Sequence, residues 1–199
     1  MKLNSKFFAR PTLQVARQLL GQVLAHRGRH GLICGRIVET EAYLADDPAC
    51  HAARGKTARC APMFGPAGRS YVYFTYGMYH CFNIVTEPLG RPGAVLIRAV
   101  EPVKGMVAML KFCQAWPKTI KTDPRHKLAS GPGKLCVAFG FDRKHNDLPL
   151  FGPQARIYVE SAPPVRSSQI VTSTRIGITQ NAEAPYRFYI RGHPSVSKP

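Results

Sequence analysis

The segment Y-V-Y-F-T-Y-G-M-Y-H-C-F-N, residues Tyr71–Asn83, has the composition of a β-hairpin. Two runs rich in Tyr, Val, Phe and Ile, which extend from Tyr71 to Val85, meet at Tyr76-Gly77-Met78. Aromatic and β-branched residues favour strands, and a glycine between two such runs gives the backbone freedom that a tight turn needs. The segment therefore predicts two antiparallel strands with a tyrosine and a methionine at an exposed tip.

A second strand is predicted upstream, in the stretch G-R-I-V-E-T-E-A-Y (Gly35–Tyr43). Glu39 and Glu41 are two residues apart, so both side chains project to the same face if the strand persists, and Tyr43 adds a flat ring to that face. A carboxylate can act as a general base when a partner keeps it ionised, and Arg98 can supply that positive charge. A structural Arg–Glu ion pair would look the same in sequence, so these residues alone leave both interpretations open.

The rest of the chain predicts short strands with irregularly placed helices. Predicted strands are 23–25, 32–34, 94–99, 157–159, 175–178 and 187–191, and predicted helices are 12–20, 103–115 and 135–139. Strands do not alternate with helices along the chain, so parallel βαβ units are not expected. The predicted fold class is α+β: a single domain, residues 1–199, built on a curved, mainly antiparallel β-sheet with surrounding helices and a protruding β-hairpin.

The chain is strongly basic. Its 199 residues include 28 Lys and Arg against 11 Asp and Glu, for a formal net charge of +17. Solubility needs only roughly 2–8 net charges on a small domain, so the excess predicts a polyanionic partner, nucleic acid before an anionic membrane surface. The sequence has no apolar run long enough to span a membrane, no secretory signal and no amphipathic helix with a basic face. We therefore expect a cytoplasmic, nucleoid-associated protein.

The six cysteines do not form a metal-binding motif. They stand at positions 34, 50, 60, 81, 113 and 136, without a Cys-x-x-Cys pair and with spacing that fits no common zinc module. Cys34, Cys81 and Cys136 lie in apolar stretches and are predicted to be reduced core residues. The dipeptide Cys50-His51 is weak evidence for a metal site, so we expect neither a metal nor another cofactor.

Five segments of the chain resemble the alkyladenine (3-methyladenine) DNA glycosylase family. They occur in the family's order, as G-R-I-V-E-T-E-A-Y (35–43), Y-V-Y-F-T-Y-G-M-Y with C-F-N (71–83), V-L-I-R-A-V-E-P (95–102), A-S-G-P-G-K-L-C (129–136) and R-F-Y-I-R-G-H-P (187–194). The resemblance implies a monofunctional DNA glycosylase that acts in base excision repair. Such an enzyme flips an alkylated or deaminated purine out of duplex DNA and hydrolyses the N-glycosidic bond, which leaves an abasic site.

The resemblance also implies a chemical centre and a base pocket. Glu41 would be the general base that deprotonates the water attacking C1′ of the deoxyribose, and Arg98 would hold that carboxylate in place. Three rings would stack on the flipped base and an amide would exclude the 2-amino group of guanine; these pocket residues are Tyr43, His51, Tyr73 and Asn83. Taken alone, His51 could equally be an ordinary polar loop histidine.

DNA contacts outside the pocket follow from the same resemblance. Tyr76 would fill the gap left by the flipped nucleotide, and Met78 and Tyr79 would line the minor groove. The basic loops 54–59 and 118–134 are expected to bind phosphates, with Arg54, Arg59 and Lys134 as the candidates.

The implied substrates are double-stranded DNA with damaged purines such as 3-methyladenine, 7-methylguanine, hypoxanthine or ethenoadenine. Methylation at N3 or N7 leaves a purine cationic, which makes it a better leaving group, and tyrosine rings attract a cation by about 1–2 kcal/mol when desolvated. The chain lacks the long N-terminal extension of some relatives, so we expect a compact bacterial form that acts as a monomer. The alternative is a non-catalytic nucleic-acid-binding module that recognises distorted duplex, for which an anion at position 41 would bring no advantage.

Overall fold

A curled antiparallel sheet of eight strands dominates the structure, a computed structural model that describes residues 1–114 and 125–198. The strands are β1 Val23–Gly28, β2 Gly31–Tyr43, β3 Ser70–Thr75, β4 Tyr79–Val85, β5 Ala94–Lys104, β6 Ile157–Glu160, β7 Ile170–Ser173 and β8 Arg187–Ile190. Their order is β3-β4-β5-β2-β1-β6, and β8 pairs with both β2 and β7. Together with the few helices, this arrangement confirms the predicted α+β class.

Strand β2 is the centre of the sheet, and it is bordered by three other strands. One edge pairs with β5 along most of its length, while the opposite edge pairs first with β1 and then, from Glu39 to Glu41, with β8. Irregularities in the β5 register lie on either side of Glu39. Such bulges bend a strand and increase its twist, which lets one strand serve two neighbours on the same edge.

In the part of the chain that the structure describes, four α-helices accompany the sheet: α1 Ser5–Phe8, α2 Thr12–Leu19, α3 Met106–Cys113 and α4 Pro132–Phe139. Helix α2 follows Pro11 and buries Val15, Ala16 and Leu19 in the main core. Helix α4 ends at Gly140, whose φ of 67° is a conformation that glycine adopts without strain. The main core lies between these helices and one sheet face, and a smaller cluster that includes Met63, Tyr71 and Ala94 lies apart from it.

The predicted hairpin is present, with its tip exposed as expected. Strands β3 and β4 are joined through Tyr76 and Gly77, which both have positive φ angles of 51° and 67°. The side chains of Tyr76 and Met78 are 79% and 52% exposed. Tyr79, the first residue of β4 after the turn, is instead half-buried and packed over Gly133 of α4.

The predicted boundary between the strand 94–99 and the helix 103–115 is wrong. Strand β5 continues to Lys104, so Val103 belongs to the sheet, and α3 begins only at Met106. Gly105 makes the turn with a φ of 82°, and a Cβ there would lie 2.3 Å from the Leu32 carbonyl oxygen. Only glycine fits so close to the backbone of β2, and this contact is invisible in sequence. Residue 115 lies outside the described residues.

The predicted strand 175–178 is also wrong. The strand in this region is β7, which ends at Ser173, and the backbone N–H of Ile176 donates to a side chain of β2 instead of to a neighbouring strand. A third correction concerns the basic loop 118–134. Its residues 118–124 lie outside the described part of the chain, and Lys134 lies in the first turn of α4 instead of in a loop.

Candidate active site

The Glu41 carboxylate lies on β2, fully buried, and accepts three contacts. Its Oε1 receives the Ile176 N–H at 2.8 Å and lies 3.2 Å from Nη1 of Arg98, while its Oε2 receives the Tyr43 hydroxyl at 2.9 Å. A buried charge is tolerated only where donors and a counter-charge replace its hydration. These contacts therefore hold the carboxylate in one orientation.

Arg98 links the two acids of β2. Its Nε lies 3.3 Å from Oε1 of Glu39, in an ion-pair contact rather than a hydrogen bond, and its Nη1 contacts Glu41. Burial alone would lower the pKa of Arg98, but the charges of Glu41 and Glu39 outweigh it and hold that pKa above its ordinary value. The guanidinium therefore stays protonated, as a partner of Glu41 must.

Glu39 has a structural environment that separates it from Glu41. Its carboxylate accepts the Arg187 Nη1 at 2.8 Å and the Ser197 backbone N–H at 2.8 Å. Arg187 in turn donates to the carbonyl oxygens of Thr174 and Lys198. Glu39 thus ties the C-terminal residues to the sheet and does not contact the tyrosine-lined cavity described next.

A small cavity borders Tyr43, on the side of the hairpin where alternate residues of β3 and β4 point. Its volume is about 20 Å³, and its lining is Tyr43, Ala49, His51, Met63, Tyr71, Tyr73, Asn83 and Ala94. Four residues predicted for a base pocket therefore come together here. About 20 Å³ holds roughly one water molecule, so a purine can enter only if these side chains move apart.

Hydrogen bonds and ring contacts hold the cavity closed. The Tyr71 hydroxyl bonds to Nδ1 of His51 at 2.8 Å, and the His51 and Tyr73 rings are 4.6 Å apart, edge to face. Desolvation of the ring, which packs against Tyr71 and Tyr73, and then the charge of Arg59 lower the pKa of His51 below its ordinary value, so the ring is neutral at pH 7. A neutral ring here does not repel a cationic base.

The Tyr43 hydroxyl joins the cavity to the acid. Burial, followed by the charge of Glu41, raises the pKa of Tyr43, so the hydroxyl keeps its proton and donates a hydrogen bond to the carboxylate. Burial likewise raises the pKa of Tyr73 and of Tyr71. All three tyrosines are therefore neutral rings at physiological pH.

Asn83 is buried in the cavity wall, where its side-chain amide donates to the Tyr71 carbonyl oxygen at 2.9 Å. This bond fixes the direction of the amide. Arg59 is exposed at the rim, with its guanidinium 5.2 Å from the Tyr73 ring centre, and Arg54 is exposed nearby in sequence. Arg59 therefore lies beside a ring that lines the cavity.

Several residues of this centre escaped the sequence analysis. Tyr71 is not among the predicted pocket residues, yet it lines the cavity. Its two-residue spacing from Tyr73, which places both rings on one face of the strand, is the signal in the sequence. The backbone donor of Ile176 left no signal, because any residue but proline has an N–H. A buried ion pair beside Tyr43 joins Asp47 and Arg175. These two residues are far apart in sequence, so no local pattern indicates that they pair.

A much larger cavity, of about 560 Å³, lies on the opposite face of the hairpin. Its lining includes His26, His80, Phe141 and Asp142 but none of the predicted site residues among those that the structure describes. Cavity size therefore does not identify the site. Within residues 1–114 and 125–198, no group of His, Cys, Asp and Glu could hold a metal ion, and no disulfide joins any of the six cysteines. None of the helices in these two ranges has the length and hydropathy of a membrane span.

Comparison with known proteins adds an independent finding. Residues 6–194 match the sequence model of the family described as methylpurine-DNA glycosylase. A relative in Carboxydothermus hydrogenoformans is 47% identical over 199 residues, which are all of both chains. Relatives in Methanocella arvoryzae, with 47% identity over 98% of this chain and 96% of the relative, and in Alkaliphilus oremlandii, with 46% identity over all of both, are similar to it too. All three are provisionally named 3-methyladenine DNA glycosylases.

Proposed function

Because the chain belongs to the methylpurine-DNA glycosylase family, and so is an enzyme that hydrolyses an N-glycosyl bond in DNA, we propose that it flips damaged purines out of the duplex and removes them with Glu41 as general base. The observation that carries the proposal is the hydrogen bond between Glu41 and Tyr43, since it connects the buried acid to the ring-lined cavity. A base held against Tyr43 would bring its sugar close to this carboxylate.

Flipping is supported by the depth of the site. Glu41 is fully buried, so a base that stayed stacked within a duplex could not bring its C1′ atom to the carboxylate. Entry of a purine requires the cavity to widen, and the Tyr43 hydroxyl must then leave Glu41. A water molecule can take the place of that hydroxyl on Oε2. The carboxylate then accepts a proton from the water while the oxygen atom of the water attacks C1′.

The exposed tip of the hairpin supplies the element that would hold the duplex open. Tyr76 and Met78 are large, apolar and in contact with solvent, and the positive φ of Tyr76 is a strained conformation for a residue with a Cβ. Side chains of this kind enter the minor groove and unstack a base step. The net charge of +17 on the chain attracts the phosphates of the duplex to the protein.

The chemistry favours simple hydrolysis. A purine methylated at N3 or N7 carries a positive charge, and the neutral rings of Tyr43, Tyr71 and Tyr73 offer it cation–π attraction. Among the described residues, no lysine lines the cavity, so the cavity itself offers no amine nucleophile for a Schiff base. We therefore propose base removal without strand cleavage.

Selection against normal guanine is assigned to Asn83. The amide is held by the Tyr71 carbonyl and lies in the cavity wall, where the 2-amino group of guanine would meet it. Deaminated and etheno-modified purines lack a positive charge, so they depend on shape and on protonation during departure. All named residues come from one chain, and we propose that a monomer acts.

A single-turnover assay with excess protein tests the proposal. Each duplex would carry one 3-methyladenine, 7-methylguanine, hypoxanthine or ethenoadenine, and abasic sites would be revealed by alkali. We expect first-order release of the methylated purines, intact strands before alkali and no release from undamaged duplex. Strand breaks without alkali would contradict monofunctional hydrolysis, and binding of every lesion without release of any would leave only a protein that recognises distorted duplex.

A further inference from the structure

A buried ion pair lies directly behind Tyr43, outside the roles assigned so far. The side chains of Asp47 and Arg175 are 1% and 0% exposed. Asp47 accepts Nη1 of Arg175, Nη2 of the same guanidinium at 3.0 Å and the Asn181 side-chain amide at 3.0 Å. Arg175 also donates to the Ala42 carbonyl oxygen at 3.0 Å. The pair is thus rigidly held.

Arg175 touches the ring that the proposed function gives to base stacking. Its guanidinium carbon lies 4.8 Å from the centre of the Tyr43 ring and 5.2 Å from that of Tyr186. Arg175 is not among the residues that line the cavity, so it contacts Tyr43 from outside. One cation is therefore already placed over this ring before any base arrives.

A second cation on the same ring would be opposed by the first. The attraction of an aromatic ring for a positive charge is shared between the two cations, which also repel each other through a medium of low dielectric constant. An anion bound to Arg175 removes most of that repulsion. Asp47 is this anion, since it is paired with Arg175, and it is one of only 11 acidic residues in the chain.

We propose that the Asp47–Arg175 pair sets the charge selectivity of the cavity: Asp47 neutralises Arg175 behind Tyr43 and so permits a cationic purine to stack there. The inference rests on the proposed function only in taking Tyr43 as the stacking ring. It makes both residues determinants of specificity, although neither lines the cavity.

Both partners are charged at neutral pH. Burial alone would raise the pKa of Asp47, but hydrogen bonds from Arg175 and Asn181 outweigh it and hold that pKa below its ordinary value. Burial alone would lower the pKa of Arg175, but Asp47 raises it above the ordinary value. The pair therefore carries one full positive and one full negative charge.

The test measures binding of two small ligands to the full-length protein by quenching of tyrosine fluorescence. One ligand is the permanent cation 3,9-dimethyladeninium, and the other is the neutral 9-methylhypoxanthine. In Asp47→Asn, which keeps the shape but leaves Arg175 uncompensated, the ratio of cation to neutral affinity should fall on the order of tenfold. In Arg175→Gln, which leaves the anion alone, the ratio should rise. The matched control Asp147→Asn, which removes an acid paired with Arg69 outside the cavity, should leave it unchanged.

The double variant Asp47→Asn/Arg175→Gln separates charge from structure. It should return the ratio to within about threefold of wild type, because both charges are absent, whereas a purely structural role predicts a double variant at least as altered as either single one. A wild-type ratio in both single variants, or no binding of either ligand by the wild-type protein, would overturn the inference. If Asp47→Asn does not fold, the test rests on Arg175→Gln alone. A ratio of cation to neutral affinity in that variant at or below the wild-type ratio would then overturn the inference.

Excision of 7-methylguanine from a duplex, measured beside these titrations, keeps the two proposals apart. If the affinity ratios change as expected but the wild-type protein excises no base, the proposed hydrolysis is contradicted and the charge selectivity is supported. If the wild-type protein excises the base but the affinity ratios of the variants are unchanged, hydrolysis is supported and the charge selectivity is contradicted.

Discussion

Replacing Glu41 with glutamine should stop base excision while it preserves the binding of lesion-containing duplex. Glutamine has the same shape, and its carbonyl oxygen can accept the Ile176 N–H and the Arg98 guanidinium that Oε1 now receives. Its NH₂ group then faces the Tyr43 hydroxyl, which can rotate to accept a hydrogen bond. Only the charge and the basicity are lost.

Two separate magnitudes follow from that loss. Removal of a general base slows a reaction by about 10²–10⁴-fold, which is about 2.7–5.4 kcal/mol of barrier at 1.36 kcal/mol per tenfold. The charges of Glu39 and Glu41 are balanced by Arg98 and Arg187, so the substitution leaves one buried positive charge in excess. Breaking such a balance lowers the free energy of unfolding by up to about 3–5 kcal/mol.

Glu39→Gln is the matched control, because it removes the same charge from the same cluster at a residue that does not touch the cavity. We expect a similar loss of unfolding free energy in urea but an excision rate within about tenfold of wild type. Excision would be followed in single turnover on a 7-methylguanine duplex, with binding measured by fluorescence anisotropy on the same DNA.

The assignment of Glu41 would be refuted by a Glu41→Gln variant that retains more than about a tenth of the wild-type rate. It would also be refuted if Glu39→Gln and Glu41→Gln lost equal activity, since that result would trace the effect to the stability of the cluster and not to the base.

Three further outcomes are expected. Tyr76→Ala should change the free energy of unfolding by no more than about 0.5 kcal/mol, because the side chain is 79% exposed. The same substitution should slow excision by about 5–100-fold, because stacking in the duplex is lost. Unaltered excision would show that Tyr76 does not act as a wedge. Asn83→Ser should increase the release of normal guanine from undamaged DNA, and unchanged selectivity would show that the amide is not a gate. Burial is the largest influence on His26 and lowers its pKa from 6.5 to about 4. As the pH falls from 6.5 to 4, His26 is therefore protonated in the unfolded chain but not in the folded protein. The free energy of unfolding should therefore fall by up to about 3 kcal/mol between pH 6.5 and 4, and His26→Asn should abolish that part of the pH dependence in urea titrations; equal slopes in both proteins would contradict this account.

The hairpin, the antiparallel sheet and the helix Thr12–Leu19 could be predicted because they follow from local patterns: alternating residues, a glycine turn, a proline start. Predictions failed where a distant contact decided the outcome. Strand β5 runs on to Lys104 because it pairs with β2, and residues 175–178 leave the sheet because an N–H of this segment is taken by Glu41. Patterns of neighbouring residues contain neither contact.

The sequence by itself determined the family, the acidic strand end and the set of rings that surround it, since residue types and their order carry that information. Only the tertiary structure decided which acid faces the rings. Glu39 and Glu41 have the same side chain and the same burial, and their Oε1 atoms lie 3.3 Å and 3.2 Å from nitrogen atoms of Arg98 on the neighbouring strand. They differ because residues more than a hundred positions away, Arg187 and Ser197 at one and Ile176 at the other, fold back onto them, and the position of those residues depends on the packing of the whole sheet.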